Sequence, residues 1–415
     1  MGTNEGTGVS FRGKVFRTPK KNPGSPRLME PEEALELMKP FLRKTGLTRF
    51  AQITGLRSVG IPAVNAIRPI SHNSSVTHGK GLTLAHALAS AAGESIERYC
   101  WFNCTVPAFS STYNDLKERR TVIPMERLAL SRFSLFRPDL PEQWMLGWDL
   151  MHDEEVPVPF SSVSRSGTCF TTELRSFQST SNGLAYGVDF LEALSQAIEE
   201  VVERDAVACM DMALLSGRIP LSKVRVDLST IPFETIGGLI GKIEEAGLLP
   251  VLLDCTTDTA IPVYHCMLLD DKKCYVGSGA SLSPETAMAR AFTEAALAHA
   301  VLFSGVRDVY FRDERLAGSL VDFRKQMAES LEAPAERSAR GLSAERTGSF
   351  EGDIAVMKDK LRGAGIDQLI VIDLPEPGLP GSVVKVTAPG LEGYHHTIAY
   401  RPGSRALSRM SGERP

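Results

Sequence analysis

Two pairs of glutamates are the residues of this 415-residue chain whose spacing most clearly suggests chemistry. Glu94 and Glu97 stand three residues apart, and Glu200 and Glu203 repeat that spacing. Residues at i and i+3 are neighbours on a helix surface, so each pair would place two carboxylates side by side. Mg2+ takes few carboxylate ligands, because it keeps water and phosphate oxygens in its shell. The two pairs therefore suit Mg2+ bridging the phosphates of a nucleotide.

A solvated acidic face is the alternative interpretation of each pair. Arg98 directly follows the first pair and Arg204 the second, and each could simply soften the repulsion between surface charges. The face around Glu94 carries small and aromatic neighbours, which is typical of a packed surface. The face of the second pair carries further polar side chains that alone indicate plain solvent exposure: Glu192, Gln196 and Glu199. The interpretation as a site therefore depends on several helices taken together.

Glu294, in a third helical stretch, should have more apolar surroundings. Its face of the helix holds several aliphatic side chains: Ala287, Ala291, Leu297, Ala298 and Val301. A buried carboxylate without a partner is strongly unfavourable. We therefore expect Glu294 to point into an apolar layer, where it is neutral, hydrogen-bonded, bound to a metal or paired with a cation such as Arg290.

These glutamates belong to three related stretches, residues 79–102, 181–206 and 277–300. Each opens on a glycine-containing turn and continues as an alanine-rich helix that carries a glutamate at a matching place. The loops differ in length, so this is an internal resemblance and not a solenoid repeat. Glycine turns would let backbone N–H groups approach phosphate closely.

The runs SAAGESIERYC, SNGLAYG followed by EALSQAIEEVVERDA, and VVKVTAPGLEG together resemble the YcaO family, over roughly residues 53–403. The resemblance implies an enzyme that binds ATP and Mg2+ and phosphorylates the oxygen of a peptide backbone amide. A nucleophile then replaces that oxygen. A Cys, Ser or Thr side chain gives an azoline, a sulfide equivalent gives a thioamide, and an amine gives an amidine.

The resemblance also implies roles for individual residues. The Mg2+ ligands would be Glu94, Glu97, Glu200 and Glu203. The catalytic arginines that neutralise phosphate charge would be Arg98, Arg204 and Arg290. The nucleotide contacts would be Lys80, Ser179, Asn182, Glu192, Arg204 and Glu294. Catalysis of this kind is mainly positioning and charge stabilisation, so we expect no side-chain nucleophile.

Two of these nucleotide contacts have simple structural alternatives. Lys80 lies in GKG without a full P-loop, so it could be a solvated lysine in a turn. Asn182 and Gly183 could be a turn pair that tolerates positive φ.

The third stretch departs from the family pattern. Many members carry Gln and then Arg after the glutamate, whereas this chain has EAALAH, with Leu297 and His299. Arg290, Glu294 and Arg307 remain. The departure leaves open a non-catalytic, YcaO-like scaffold that docks peptide, although a scaffold has no physical need of four clustered acids.

The C-terminal sequence RPGSRALSRMSGERP lacks the proline-rich ending common in azoline-forming members. With GYHHTIAYRPGSRA, it resembles the members that work with a TfuA-type partner and install thioamides. The resemblance thus implies a peptide or protein substrate, a TfuA-like partner, a homodimer and thioamide formation, with azoline formation as the alternative.

The fold class predicted from these patterns is α+β, with mixed or antiparallel sheets carrying the three helices. We expect an N-terminal arm and helix in residues 1–50, one catalytic domain in residues 51–403 and a C-terminal tail in residues 404–415. Within them we expect a helix over residues 31–46 and an exposed helical or mobile segment over residues 317–352.

Composition narrows the function classes. A net charge of -4 gives no support for nucleic acid binding, and no apolar run approaches the length of a membrane span, so we expect a cytoplasmic protein. The seven cysteines show no C-x-x-C pair and should be free thiols, mostly in the core. Among eight histidines only His395 and His396 are adjacent, a pattern that does not favour a zinc enzyme.

Overall fold

The structure, a computed structural model, describes residues 8–20, 25–55, 59–71, 75–165, 176–270, 273–306, 331–397 and 399–411. Arg307 and residues 317–330, for which the sequence makes predictions, lie outside the described residues. The described helices are α1 (Pro31–Leu42), α2 (Leu84–Phe102), α3 (Tyr113–Arg119), α4 (Phe160–Val163), α5 (Phe190–Leu215), α6 (Glu234–Glu245), α7 (Pro284–Ser304), α8 (Phe350–Gly363) and α9 (Ser404–Ser411).

The strands of the described residues are short and mostly antiparallel. They are β1 (Val9–Phe11), β2 (Lys14–Phe16), β3 (Arg49–Gln52), β4 (Ala63–Ile67), β5 (Val76–Lys80), β6 (Phe109–Ser111), β7 (Glu142–Asp149), β8 (Glu154–Pro159), β9 (Leu184–Gly187), β10 (Val226–Asp227), β11 (Leu249–Asp254), β12 (Val263–Leu269), β13 (Cys274–Ala280), β14 (Arg337–Ser338), β15 (Ile370–Asp373) and β16 (Ser382–Thr387). The predicted α+β class is confirmed.

Three sheets position the alanine-rich helices. A six-stranded antiparallel sheet has the order β6-β7-β15-β16-β9, with β8 paired to β7. The meanders β3-β4-β5 and β11-β12-β13 form two three-stranded antiparallel sheets. Helix α2 packs on β5, α5 on β9 and β16, and α7 on β13 and β12. Each of the three helices therefore lies on the strand that precedes it in the chain.

The three long helices start at side-chain caps, which explains why the sequence locates them well. Thr83 accepts the amide of His86 at the start of α2, and Asp189 accepts that of Leu191 at the start of α5. Ser283 caps α7 in the same way, followed by proline at the first helical position. The predicted helices are confirmed.

Two of the glycines predicted to form phosphate-binding turns lie in strands and allow close helix packing. Gly79 lies in β5 and Gly279 in β13. A Cβ atom would lie 2.0 Å from the Ala87 carbonyl oxygen at the first position and 2.3 Å from the Ala287 carbonyl oxygen at the second. These glycines therefore let α2 and α7 cross their strands closely, and the expectation of turns is wrong at both positions.

The ends of the described chain are held on α5, by aromatic packing in the N-terminal part and by a buried ion pair in the C-terminal part. In the N-terminal part Phe11 and Phe16 pack on Phe190 at the start of α5, with ring centroids 4.8 and 4.6 Å away. In the C-terminal part Arg405 of α9 donates through Nε to Asp205 Oδ1 of α5 at 2.9 Å. The residues expected to form a tail thus include a helix docked on α5. No helix of the described residues is long and apolar enough to cross a membrane.

Candidate active site

The two predicted glutamate pairs lie within electrostatic reach of each other, one on α2 and one on α5. Burial raises the pKa of Glu97 to about 8. The charges of Glu94 and Glu200 raise this pKa further, whereas a hydrogen bond from the Tyr186 amide lowers it. Burial also raises the pKa of Glu200 to about 7, with a further contribution from Glu203 and an opposing one from Arg204. Burial is the largest cause of both shifts, so these two carboxyls resist ionisation in the absence of a bound cation.

Three glutamates tie the helices into a closed ring. Glu97 Oε1 on α2 accepts the Tyr186 amide of β9 at 2.8 Å, the strand before α5. Glu203 Oε1 on α5 accepts the Ser278 hydroxyl of β13 at 2.7 Å, the strand before α7. Glu294 Oε2 on α7 pairs with Lys80 Nζ of β5 at 2.7 Å, the strand before α2. Each helix thus reaches the strand of the next unit, which fixes carboxylates from all three units around one centre.

The surroundings of Glu294 differ from the predicted apolar layer. Its side chain is 30% exposed and pairs with Lys80 instead of Arg290. Burial would raise the pKa of Glu294, but Lys80 and Arg204 hold it below its ordinary value. The residues on this helical face could not predict the pair, because Lys80 comes from a strand more than 200 residues earlier in the chain. Lys80 is accordingly a paired strand residue and not a solvated lysine in a turn.

Two of the three predicted arginines lie beside the glutamate pairs. Arg98 Nη2 is 3.4 Å from Glu94 Oε1, and Arg204 Nη1 is 3.2 Å from Glu203 Oε1. Arg290 instead donates to Glu199 Oε2 at 2.6 Å and to the Ala280 carbonyl at 2.8 Å. The structure therefore brings Arg98 and Arg204 to the predicted pairs, whereas Arg290 binds a different glutamate of α5.

The acids of α5 that looked solvent-exposed are buried. Glu199 is 2% exposed and binds Arg346 as well as Arg290, at 3.1 Å from Oε1 to Arg346 Nη2. Glu192 is also 2% exposed and accepts from Arg27 Nη1 at 3.0 Å and the Leu28 amide at 3.2 Å. The expectation of plain solvent exposure is wrong, because the partners lie far away in sequence. The predicted nucleotide contact at Glu192 would have to share the carboxylate with Arg27.

A group of cations surrounds Trp101 next to the first glutamate pair. The charged groups of Arg98, Arg165 and Lys385 lie 5.6, 5.3 and 5.9 Å from its ring. Burial lowers the pKa of Lys385 to about 7, while Glu200 opposes the shift. Three cations around one ring repel one another, so this group is suited to a bound anion such as phosphate. Neither Arg165 nor Lys385 was among the residues predicted from the sequence, although Lys385 lies inside the run VVKVTAPGLEG.

The predicted contacts Ser179 and Asn182 lie between those cations. Arg165 Nε donates to Ser179 Oγ at 3.3 Å, and Lys385 Nζ donates to the Asn182 carbonyl at 2.5 Å. Asn182 Oδ1 is buried and has no hydrogen-bond partner among the described residues. Gly183 beside it has a φ of 75°, as expected of a turn pair. An orphaned buried acceptor is costly, so it fits a ligand that brings a donor.

The raised carboxylate pKa values lead to a prediction about pH. Above the unfolded-state pKa, near about 4.3, the metal-free folded protein retains protons on Glu97 and Glu200 that the unfolded chain has lost. The free energy of unfolding should therefore fall as pH rises from about 5 to about 7, above which the lowered pKa of Lys385 acts in the opposite direction. Mg2+ requires the ionised carboxylates, so Mg2+ with an ATP analogue should raise the melting temperature more at pH 8 than at pH 6.

Calorimetry in buffers of different ionisation enthalpy should detect proton release when Mg2+ and nucleotide bind near neutral pH. Glu97→Gln should reduce the release, and Glu244→Gln, an exposed change on α6, should leave it intact. Equal stabilisation at both pH values, without proton release, would contradict the assignment of metal to these glutamates.

Comparison with known proteins gives a consistent family match. A family model described as YcaO cyclodehydratase, ATP- and Mg2+-binding, matches residues 78–392, more than half of the chain. A protein of Rhizobium leguminosarum bv. trifolii, described as an uncharacterized protein in the tfuA 3′ region, is 30% identical over 406 residues, covering 93% of each chain.

Solved structures share the fold. A YcaO protein from Methanopyrus kandleri, bound with AMPPCP and Mg2+, matches with a TM-score of 0.68 and 20% identity over 94% of this chain and 98% of that chain. A heterocyclase in complex with substrate and cofactor matches with a TM-score of 0.76 and 21% identity over 96% of this chain, but this chain covers only 56% of it. At these identities the likeness shows the fold alone.

Proposed function

Because the chain belongs to the YcaO family, we propose that it uses ATP and Mg2+ to phosphorylate a backbone amide oxygen of a peptide or protein, which sulfur then replaces to give a thioamide. The observation that carries the proposal is a pair of buried carboxyls, one on α2 and one on α5, whose ionisation is unfavourable in the chain alone. Carboxylates whose pKa is raised to about 8 at Glu97 and about 7 at Glu200 fit a divalent cation that neutralises them. The buried acceptor of Asn182 and the cations around Trp101 support a nucleotide beside that cation.

In the proposed mechanism the chain positions charge. Glu94, Glu97, Glu200 and Glu203 would hold Mg2+, which supplies the charge that neutralises phosphate oxygens during transfer. Arg98 and Arg204 lie within 3.4 Å of those acids and would stabilise the negative charge of the transferred group. Lys385 and Arg165, which lie 5.9 and 5.3 Å from the Trp101 ring, would add to this field. Arg290 would act indirectly, since it donates to Glu199, which lies on α5 together with Glu200 and Glu203.

Further nucleotide contacts are proposed at Lys80, Ser179, Asn182, Glu192 and Glu294. Lys80 and Glu294 neutralise each other at 2.7 Å, so the nucleotide would meet a balanced pair there. Ser179 and Asn182 would meet it next to Arg165 and Lys385.

The choice of sulfur rests on the relative from the tfuA 3′ region, which matches nearly the whole chain. We propose a TfuA-like partner and a homodimeric enzyme. Azoline formation, which the cyclodehydratase description of the family favours, is the second candidate. The scaffold alternative loses support, because His299 is buried and packs against Tyr275 with ring centroids 4.7 Å apart. His299 therefore serves core packing, and this departure from the family pattern does not alter the glutamate pairs.

The product decides between these candidates. The purified protein, its TfuA-like partner, ATP, Mg2+ and a sulfide source are incubated with peptides and proteins from a strain that lacks the enzyme. Mass spectrometry should find a substrate whose mass has increased by an oxygen-to-sulfur exchange, and only with ATP. Loss of one water would establish azoline formation instead. ATP consumption without any modified peptide, across the whole substrate pool, would contradict the proposal.

A further inference from the structure

A cluster of histidines and an aspartate lies at the C-terminal part of α5, outside the glutamate pairs. Asp211 projects from α5, and His395 and His396 come from the segment after β16. One ligand atom from each of the three lies within 4.8 Å of the others. The cluster could not be found by sequence spacing, because Asp211 is 184 residues away from His395.

The geometry of the three groups matches a tetrahedral metal site. His395 Nε2 lies 2.6 Å and His396 Nε2 lies 3.8 Å from the same atom, Asp211 Oδ2. A metal with bonds of about 2.0–2.1 Å separates neighbouring tetrahedral ligands by about 3.3 Å. The observed distances lie on both sides of that value. Small side-chain rotations would therefore admit an ion.

Anchoring the chain does not account for this arrangement. The segment after β16 is already fixed by Glu392, whose carboxylate accepts from the Tyr400 hydroxyl at 2.8 Å and the Ala406 amide at 2.9 Å. One histidine would suffice for a hydrogen bond to Asp211. Here the second ring lies against the first at a tilt of 40°, with centroids 3.9 Å apart, and its Nε2 lies 3.8 Å from the same carboxylate.

A third imidazole lies beside the cluster. His265 of β12 is 7% exposed, and its Nδ1 has no hydrogen-bond partner among the described residues. Val263, two residues before it, packs in the same core cluster as α5, so His265 is on the side of the sheet that faces Asp211. Across the sheet His265 pairs with Ser278, whose hydroxyl holds Glu203. His265 thus lies between the cluster and the glutamate ring.

The cluster is nevertheless separate from the glutamate pairs. Asp211 and Glu203 are eight residues apart on α5, which corresponds to about 12 Å along the helix axis. A single ion cannot bind both residues at that distance. The ligand types differ as well, since imidazole suits zinc and related metals, whereas Mg2+ prefers oxygen alone.

We propose that Asp211, His395 and His396 bind a Zn2+-class divalent metal ion at a second site, distinct from the glutamates. Three protein ligands leave one tetrahedral position for water or a substrate group, as in catalytic zinc sites. His265, on the side of the sheet that faces Asp211, would orient that ligand. This second metal site does not depend on the proposed thioamide chemistry, because metal binding can be measured in the absence of ATP.

The test uses full-length protein without a histidine tag, stripped with chelator and titrated with Zn2+ against a chromophoric competitor. Wild type should bind one ion tightly, and Co2+ in its place should give the visible absorption of a tetrahedral site. Asp211→Asn and His396→Ala should each weaken binding by about tenfold or more. His396 is half exposed, so its removal should leave the fold intact by circular dichroism.

Two control variants separate this site from its alternatives. His152→Ala removes a similar histidine, 2.8 Å from Asp149 but without a second histidine, and should leave Zn2+ affinity unchanged. Glu203→Gln should leave it unchanged as well. The proposal is overturned if wild type binds no stoichiometric Zn2+, if folded His396→Ala binds as tightly as wild type, or if Glu203→Gln loses the ion equally.

Discussion

Glu203→Gln should lower Mg2+-dependent ATP turnover by about 100- to 1,000-fold, the effect expected when one preorganised group is removed from a charge-stabilising site. Glutamine keeps the size of the side chain and can still accept the Ser278 hydroxyl, which lies 2.7 Å from Glu203 Oε1. It cannot supply the negative charge that Mg2+ and Arg204 require. The variant should therefore melt at nearly the temperature of wild type while losing turnover.

A control on another helix makes this result specific. Glu244→Gln also removes one carboxylate, but from the exposed surface of α6. Phosphate release should be measured for wild type and both variants, with saturating Mg2+ and peptide substrate. If Glu203→Gln retained the turnover of wild type, the glutamates of α5 would not hold the catalytic metal.

Arg405→Met should destabilise the folded protein by about 3–5 kcal/mol, the cost of leaving a buried charge without its partner. Arg405 donates to Asp205 through both Nε and Nη2 at 2.9 Å, and the Asp205 side chain is fully buried. Methionine fills a similar volume, so the loss should come from charge and not from a cavity. Residues expected to form a tail would then contribute a large part of the stability.

Denaturant unfolding followed by circular dichroism measures this effect. The matched control is Lys39→Met, which breaks the pair with Glu36 on the exposed surface of α1 and should change stability little. Equal stability of Arg405→Met and wild type would mean that α9 is not docked on α5 in solution.

The parts of the site that depend on local sequence could be predicted. The spacing within each glutamate pair and the arginine that follows it are properties of a single helix, α2 for the first pair and α5 for the second. They placed four carboxylates and two arginines where the structure has them together. Helical periodicity and capping depend only on residues that are near in sequence, so they can be predicted without knowing the tertiary structure.

The parts that depend on distant partners could not be predicted. Glu199 looks like a surface acid until Arg346 is folded onto it from 147 residues away. Lys80 looks like a turn lysine until it meets Glu294. Burial of a charge is decided by its partner, and one sequence does not say which residues will be partners. For the same reason, the cluster of Asp211, His395 and His396 could not be predicted from the sequence.

The most direct test of the account is calorimetric titration of the purified protein with a non-hydrolysable ATP analogue, with Mg2+ and then with chelator. Binding requires neither the peptide nor a partner protein, so it isolates the nucleotide site. The account predicts binding with Mg2+ that becomes much weaker with chelator or in Glu203→Gln. Folded wild-type protein that binds no nucleotide, or binds it equally well with chelator, would contradict the assignment of ATP and Mg2+ to the ring of glutamates.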